Sequence, residues 1–158
     1  MAIYLIRHAH AGNRSSWRGD DLDRPLSDKG RDQAARLVHT LAHEPIGQVY
    51  SSPSRRCIAT VEPLAEDRHL KVRTAAELFE GAEPEPTLAF LRQHATKNPV
   101  LCSHGDLIPK LIRRLIAAGM HTKDANIAQK GSVWVLETDG HRIVKGRYLG
   151  PPVRSDEA

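Results

Sequence analysis

Two side chains that can handle a phosphate group follow the first apolar segment of the chain. Residues 2–6 (Ala-Ile-Tyr-Leu-Ile) form a short apolar run that predicts a buried strand, and Arg7 and His8 come directly after it. Ligands of open α/β sheets bind just beyond the carboxyl ends of the strands. A guanidinium group matches phosphate oxygens, and an imidazole is a nucleophile or proton carrier near neutral pH. This segment therefore predicts one corner of an anion site.

Two further segments place basic side chains after predicted strands. Arg56 follows a strand predicted at 48–51, and His104 and Gly105 follow one predicted at 99–103. Since the carboxyl ends of parallel strands share one rim, we expect these groups to meet Arg7 and His8 there, with Arg14 as a further candidate. Guanidinium and imidazole groups at one place suit a tetrahedral dianion such as phosphate. His104 and Gly105 are also expected to directly precede a helix, whose free N–H groups attract anions.

The spacing of apolar and turn-forming residues predicts the elements that position these groups. Further strands are predicted at 70–73, 132–137 and 141–148, the last two joined by an Asp-Gly turn. Helices are predicted from Ser27 to about 43, from 52 to about 65 with Pro53 in its first turn, at 87–94 and at 107–118. Pro63 predicts a kink or break in the second helix. Asp106 is expected to cap the last helix.

This order of elements predicts the fold class and the domain organisation. Strands that alternate with helices and end in a hairpin predict an α/β protein. Its architecture is a three-layer α/β/α arrangement with a mostly parallel central sheet and a C-terminal antiparallel hairpin. A length of 158 residues predicts one domain, at 1–150. Residues 151–158 are expected to form a flexible tail.

Composition argues against several classes of protein. The net charge is +4, but Lys and Arg are scattered and not interleaved with aromatic residues, so no nucleic-acid partner is expected. No segment approaches the roughly 20 apolar residues of a membrane span. We therefore expect a soluble, cytoplasmic protein with no membrane partner, in which Cys57 and Cys102 are buried, reduced thiols. No cofactor or metal is predicted, because there is no Walker loop and no carboxylate cluster suited to Mg²⁺.

Three segments together resemble the motifs of the histidine phosphatase superfamily, also called the phosphoglycerate mutase-like family. Residues 5–9 (Leu-Ile-Arg-His-Ala) resemble its Arg-His-Gly motif. Residues 52–60 (Ser-Pro-Ser-Arg-Arg-Cys-Ile-Ala-Thr) resemble its Ser-Pro-Leu-x-Arg-Ala-x-Gln-Thr segment, and residues 100–105 (Val-Leu-Cys-Ser-His-Gly) its second His-Gly motif. The resemblance spans residues 2–118 and implies the phosphoglycerate mutase-like fold.

Within the superfamily, the chain resembles two groups. Residues 24–30 (Arg-Pro-Leu-Ser-Asp-Lys-Gly) and the short length resemble the small SixA-type phosphohistidine phosphatases, which have an Arg-Pro-Leu-Thr-x-x-Gly element there. Residues 11–14, Trp17 and residues 19–21 resemble the phosphatase-like C-terminal domain of two-domain MutT-type nucleotide hydrolases.

The superfamily resemblance implies a role for each matched residue. His8 would be the nucleophile that carries the phosphoryl group, and Arg7 and Arg56 would bind that group. His104 would donate a hydrogen bond to it, and Gly105 would belong to the same binding site. No metal ion would be required.

Further assignments follow from the same resemblance. Arg14 would touch the phosphate or the leaving group, and Glu80 stands where larger members have a general acid, with Glu77 as the competing candidate. Arg55 is expected to be a solvated helix residue rather than the site arginine. The chain departs from the family's motifs at three positions, Ala9 for Gly, Ser54 for Leu and Ala59 for Gln. None of these removes a charged group, so we expect activity to survive.

Three functions stay open at this point. The first is a phosphatase that transfers a phosphoryl group to His8 and then to water, acting on protein phosphohistidine or on a small phosphomonoester. The second is a nucleoside diphosphate phosphohydrolase, in which Trp17, Arg14 and Arg18 form a rim that could stack a base. The third is a non-catalytic phosphate-binding module, which the intact set of basic residues disfavours. No oligomeric state is predicted.

Overall fold

A six-stranded sheet forms the centre of the protein in the computed structural model, which describes residues 1–153. Its strands are β1 (Ala2–Arg7), β2 (Gln48–Ser51), β3 (Val72–Thr74), β4 (Pro99–Ser103), β5 (Val133–Asp139) and β6 (Arg142–Leu149). They lie in the order β3-β2-β4-β1-β5-β6, with β1 to β4 mutually parallel, β5 antiparallel to β1, and β6 antiparallel to β5. The predicted α/β class, mostly parallel sheet and terminal hairpin are confirmed.

Four helices cover the two faces of this sheet. They are α1 (Asp28–Thr40), α2 (Arg55–Asp67), α3 (Pro84–His94) and α4 (Ile108–Ala117). Alternate residues of β1 face opposite sides, so that Ile3 and Leu5 pack with α3 and α4, whereas Tyr4 and Ile6 pack with α1 and α2. Burial on both faces explains why β1 is a continuous apolar run rather than an alternating one.

Helix α2 differs from its prediction at Pro53, and it shows no break at Pro63. It begins at Arg55 after the N-cap Ser54, so Pro53 lies before the helix and not in its first turn. The helix also continues through Pro63 without a break. Val61 and Leu64 flank Pro63 and are fully buried, so packing on both sides of the proline outweighs the one backbone hydrogen bond that it removes.

The other helix boundaries shift by a few residues. α1 ends at Thr40 rather than about 43, α3 begins at Pro84 rather than 87, and α4 begins at Ile108, with Leu107 as its N-cap and no side-chain cap. His104 and Gly105 are therefore separated from α4 by a turn and do not directly precede it. The prediction that Asp106 caps α4 is wrong.

The first turn of α1 packs closely against the backbone of His10, in the segment that follows β1. The Ser27 hydroxyl accepts a hydrogen bond from the Gly30 N–H at 3.1 Å, which confirms the predicted cap. A Cβ atom on Gly30 would overlap the carbonyl oxygen of His10, so this close approach requires glycine.

The remaining expectations concern the tail, the thiols and the membrane. Residues 151–153 form neither helix nor strand, and the rest of the predicted tail, 154–158, lies outside the described residues. Cys57 and Cys102 are buried and free, as predicted. Within residues 1–153, none of the helices has the length and apolar character needed to cross a membrane.

Candidate active site

The register of three neighbouring strands brings the predicted groups to one rim. Arg7 in β1 is level with Ser103 in β4, and the His8 N–H donates to the Ser103 carbonyl at 3.0 Å. After β2, the Ser52 N–H donates to the Cys102 carbonyl of β4 at 2.9 Å. The residues that follow β1, β2 and β4 therefore leave the sheet side by side.

A cavity of about 410 Å³ opens at this rim. Six of the residues predicted for the site line it: Arg7, His8, Arg14, Glu80, His104 and Gly105. Its other lining residues are Gly12, Asn13, Arg24, Asp106 and Lys130. Arg56 does not line the cavity, but its guanidinium lies 3.5 Å from the carboxylate of Glu80, which does line it.

His8 is held as a neutral imidazole with one nitrogen free. Its Nδ1 lies 2.8 Å from the Ala9 carbonyl, which can only accept, so Nδ1 carries the proton and the lone pair is on Nε2. Burial is the main cause that lowers the pKa of His8 to about 3. The electrostatic interactions with His104, Arg56 and Arg7 also lower it, whereas the hydrogen bond to the Ala9 carbonyl raises it. The ring can therefore act as a nucleophile at neutral pH without losing a proton first.

Arg7 is fixed by its backbone partner and by a glycine. Its Nη1 donates to the Ala128 carbonyl at 2.7 Å. A Cβ atom on Gly105 would overlap the Arg7 guanidinium carbon and lie 2.7 Å from Nε. Glycine is therefore required at 105 so that the guanidinium can lie flat against the backbone.

Arg56 is a buried charge balanced by two carboxylates. Only 1% of it is exposed. Its Nη1 donates to the Asp21 carbonyl at 2.9 Å, and its Nη2 lies 3.3 Å from the Asp21 carboxylate and 3.5 Å from that of Glu80. Arg55, by contrast, is exposed, in agreement with the choice of Arg56 over its neighbour.

His104 faces His8 across the cavity floor. It is 1% exposed, and the two rings lie 5.5 Å apart between centroids. Its Nε2 is 2.8 Å from the Ser52 hydroxyl and 3.5 Å from the Cys57 sulfur. If the Ser52 hydroxyl donates to Nε2, the ring proton lies on Nδ1.

Three buried nitrogens of this group have no hydrogen-bond partner within residues 1–153. They are Arg7 Nε, Arg56 Nε and His104 Nδ1. Buried polar atoms are normally paired, so unpaired atoms call for a physical explanation. Arg7 and His104 line the cavity together with His8, and potential donors in the same cavity as a free imidazole nitrogen suit an anion with several oxygen atoms.

Side chains in β4 and just after it form hydrogen bonds with the segment that carries Glu80. The Ser103 hydroxyl donates to the Leu78 carbonyl at 2.7 Å, and the Gly81 N–H donates to the Asp106 carboxylate at 2.8 Å. Asp106 therefore holds this turn instead of capping α4. Glu80 accepts a hydrogen bond from Arg14 at 2.6 Å and lies in the cavity wall. Glu77 does not line the cavity.

Asp21 is a central residue that the sequence analysis did not select. Its carboxylate lies 2.9 Å from Arg24 and 3.3 Å from Arg14, in addition to its contacts with Arg56. Burial tends to raise the pKa of Asp21, but the hydrogen bond from Arg24 and the charges of Arg56 and Arg14 lower it overall. Arg14 and Arg24 are close to Asp21 in the chain, but Arg56 is 35 residues away, so its contact with Asp21 exists only in the folded protein.

His10 and Trp17 lie outside the cavity wall. The Nδ1 atom of His10 is 2.6 Å from the Ser27 hydroxyl, so this ring supports the start of α1. Trp17 lines a neighbouring groove. Among residues 1–153, no three His, Cys, Asp or Glu side chains are grouped so that they could hold a metal ion.

Sequence comparison matches the chain to a known family. Residues 3–82 match the family model of the histidine phosphatase superfamily, branch 1. The chain is also 34% identical over 155 residues to the 8-oxo-(d)GTP phosphatase of Mycolicibacterium smegmatis. That alignment covers 95% of this chain but 48% of the relative, so the chain spans about half the length of that protein.

Solved structures with the same fold also include phosphatases. The protein histidine phosphatase SixA, complexed with tungstate, superposes with a TM-score of 0.72 at 20% identity, covering 96% of both chains. A mycobacterial glucosyl-3-phosphoglycerate phosphatase complexed with VO₃ superposes with a TM-score of 0.69 at 19% identity, covering 93% of this chain and 96% of the other. The similarity in fold therefore covers nearly all of the chain.

Proposed function

The chain belongs to the histidine phosphatase superfamily, and on that premise we propose that His8 takes a phosphoryl group from a phosphorylated substrate and passes it to water. The observation that carries this proposal is the state of the His8 ring. Its Nδ1 proton is bound to the Ala9 carbonyl, and burial keeps the ring neutral, which leaves Nε2 as a nucleophile in the cavity.

The first step forms a bond between His8 Nε2 and phosphorus and breaks the bond to the leaving group, which takes the electron pair. Arg7 and Arg56 neutralise the charge on the transferring group, and His104 Nδ1 donates a hydrogen bond to one of its oxygens. These are the groups whose buried nitrogens have no other partner within residues 1–153.

In the second step, water attacks phosphorus and the bond to His8 Nε2 breaks, which restores the neutral ring. Glu80 lies in the cavity wall and is the carboxylate that we assign to proton transfer, both to an ester oxygen in the first step and from water in the second. Arg14 binds Glu80 at 2.6 Å and holds it in place. The fixed guanidinium charges perform the task that a metal ion performs elsewhere, so we propose a metal-independent reaction.

Two substrate classes fit this chemistry. The first is protein phosphohistidine or a small phosphomonoester, supported by the similarity in fold to SixA. The second is a nucleoside diphosphate, supported by the 34% identity to a phosphatase that acts on a nucleotide. Turnover of a phosphohistidine peptide and of several nucleotides at equal concentration distinguishes the two.

Trapping the phosphorylated enzyme tests the mechanism directly. Wild-type protein quenched during turnover of p-nitrophenyl phosphate should carry an acid-labile, base-stable phosphate on His8, located by mass spectrometry. His8→Ala should lower kcat at least about a thousandfold with an unchanged circular dichroism spectrum, whereas His43→Ala, at an exposed position, should not. Full activity of His8→Ala would refute the mechanism, and His8-dependent turnover would exclude a module that only binds phosphate.

A further inference from the structure

Lys130 lies in the cavity wall, although no sequence motif selects it. The next residue, Gly131, donates its N–H to the carbonyl oxygens of Arg7 and His8 at 3.1 Å each. Gly131 has φ 83°, a conformation that favours glycine, and the Lys130 carbonyl accepts from Gln33 at 3.4 Å. The backbone therefore holds Lys130 beside the strand end that carries His8.

Lys130 lies among other positive groups of the cavity and is not itself paired with a carboxylate within residues 1–153. Burial lowers the pKa of Lys130, and the charges of Arg7, Arg24 and Lys29 lower it further. Arg24 lines the same cavity and pairs with Asp21 on its other side. Positive groups gathered in a cavity attract an anion.

This cationic pair is separate from the groups assigned to the transferring phosphoryl group. Arg56 and Arg14 each pair with both Asp21 and Glu80, whereas within residues 1–153 Arg24 pairs with Asp21 alone and Lys130 with no carboxylate. The cavity thus has a second basic region, on Lys130 and Arg24, which a single phosphate bound at His8 would leave unused.

A mainly apolar groove of about 230 Å³ adjoins the cavity next to Arg24. We call it the Trp17 groove. Its lining residues are Ala11, Gly12, Asn13, Ser16, Trp17, Arg24, Pro25, Leu26 and Ser27. Gly12, Asn13 and Arg24 also line the cavity, so the two spaces are adjacent. The Trp17 indole donates to the Asp20 carbonyl at 2.9 Å and is 36% exposed, so it is anchored but available for stacking.

We propose that Lys130 and Arg24 bind the non-transferred phosphate of a nucleoside diphosphate, whose base lies in the Trp17 groove while its terminal phosphate reaches His8. This inference rests on the proposed function and selects one of its two substrate classes. A phosphohistidine side chain carries no second phosphate and would leave Lys130 without a partner.

The reaction balances without an added proton donor. His8 Nε2 bonds to the terminal phosphorus, the bridging P–O bond breaks, and the electron pair leaves on the oxygen of the nucleoside monophosphate. The second pKa of a phosphate monoester is about 6, so the leaving oxygen of the nucleoside monophosphate is stable without a proton at neutral pH. Water then cleaves the bond to His8 and releases inorganic phosphate. Lys130 and Arg24 stabilise the charge that develops on the leaving phosphate.

Kinetics with two substrates test this assignment. GDP carries the second phosphate and a base, and p-nitrophenyl phosphate carries neither. Lys130→Gln should raise the KM for GDP about tenfold more than the KM for p-nitrophenyl phosphate. Lys29→Gln is the matched control, because Lys29 is a nearby exposed lysine outside the cavity wall, and it should leave the ratio of the two KM values as in the wild type. Trp17→Ala should raise the KM for GDP at least about fivefold.

Binding of phosphonates separates this subsite from catalysis, since neither ligand can be hydrolysed at its P–C bond. Calorimetry should show methylenediphosphonate binding the wild type about tenfold more tightly than methylphosphonate, with most of that preference lost in Lys130→Gln and kept in Lys29→Gln. Turnover of p-nitrophenyl phosphate without a diphosphonate preference, or equal effects of Lys130→Gln on both KM values, would overturn the subsite alone. A diphosphonate preference in a protein that turns over neither substrate would support the subsite and overturn the proposed catalysis.

Discussion

Acidification should destabilise this protein through His8. The residue is 6% exposed, and burial lowers its pKa in the folded protein from 6.5 to about 3. The unfolded chain therefore binds a proton at pH values where the folded protein does not. Since the unfolded state then holds more protons, the free energy of unfolding falls as the pH drops below about 6.5.

The size of this loss follows from the two pKa values. Between pH 7 and pH 5, the linkage relation assigns to His8 a loss of about 2 kcal/mol in the free energy of unfolding. Because pH 5 still lies above the folded-state pKa of about 3, this figure is set almost wholly by the ordinary value of 6.5.

Urea denaturation followed by circular dichroism measures the effect, in buffers without phosphate so that no anion occupies the site. The wild type should lose about 2 kcal/mol more than His8→Gln between pH 7 and pH 5. His43→Gln, which removes an exposed histidine, should behave like the wild type. Equal losses in the wild type and His8→Gln would show that His8 binds its proton equally well in both states, and the reasoning would be refuted.

Three further results are expected. Gly105→Ala should lower kcat/KM at least about tenfold by displacing the Arg7 guanidinium. Gly150→Ala, which adds its Cβ in open space, should leave it unchanged, and equal values for both variants would contradict the packing argument. Arg56→Lys should cost about 1–3 kcal/mol in the free energy of unfolding measured with urea, against less than about 0.5 kcal/mol for exposed Arg55→Lys. Overnight dialysis against EDTA should leave phosphate release unchanged, and activity that is lost and then restored by a divalent metal would refute the metal-independent mechanism.

The elements of the fold are largely predictable because their signals are local. The apolar run before Arg7 and the Asp-Gly turn before β6 depend on residues adjacent in the chain, and both predictions agree with the structure. The errors occur where packing overrides a local rule. Asp106 binds Gly81 instead of capping α4, and no break occurs at Pro63, in a helix whose neighbouring residues Val61 and Leu64 are buried.

The residues at strand ends are the part of the site that could be predicted from the order of the elements, whereas Arg14 and Glu80 were assigned from the family resemblance. Arg7, His8 and His104 follow strands directly, so the parallel order of the sheet was enough to predict that they meet. Residues of the long loops were not predictable in this way. Asp21 is held at the site by its contacts with Arg56, and Lys130 by the hydrogen bonds of its neighbour Gly131 to the Arg7 and His8 carbonyls; in both cases the partners are distant in the chain.

By itself, the sequence determined the α/β class, the family resemblance and the candidates for phosphate chemistry, because motifs and apolar periodicity are properties of short segments. Only the tertiary structure decided the protonation of His8, the pairing of Arg56 with two carboxylates, and the second basic region at Lys130. These depend on burial and on the distances between charges, and both are set by which distant segments the fold brings together.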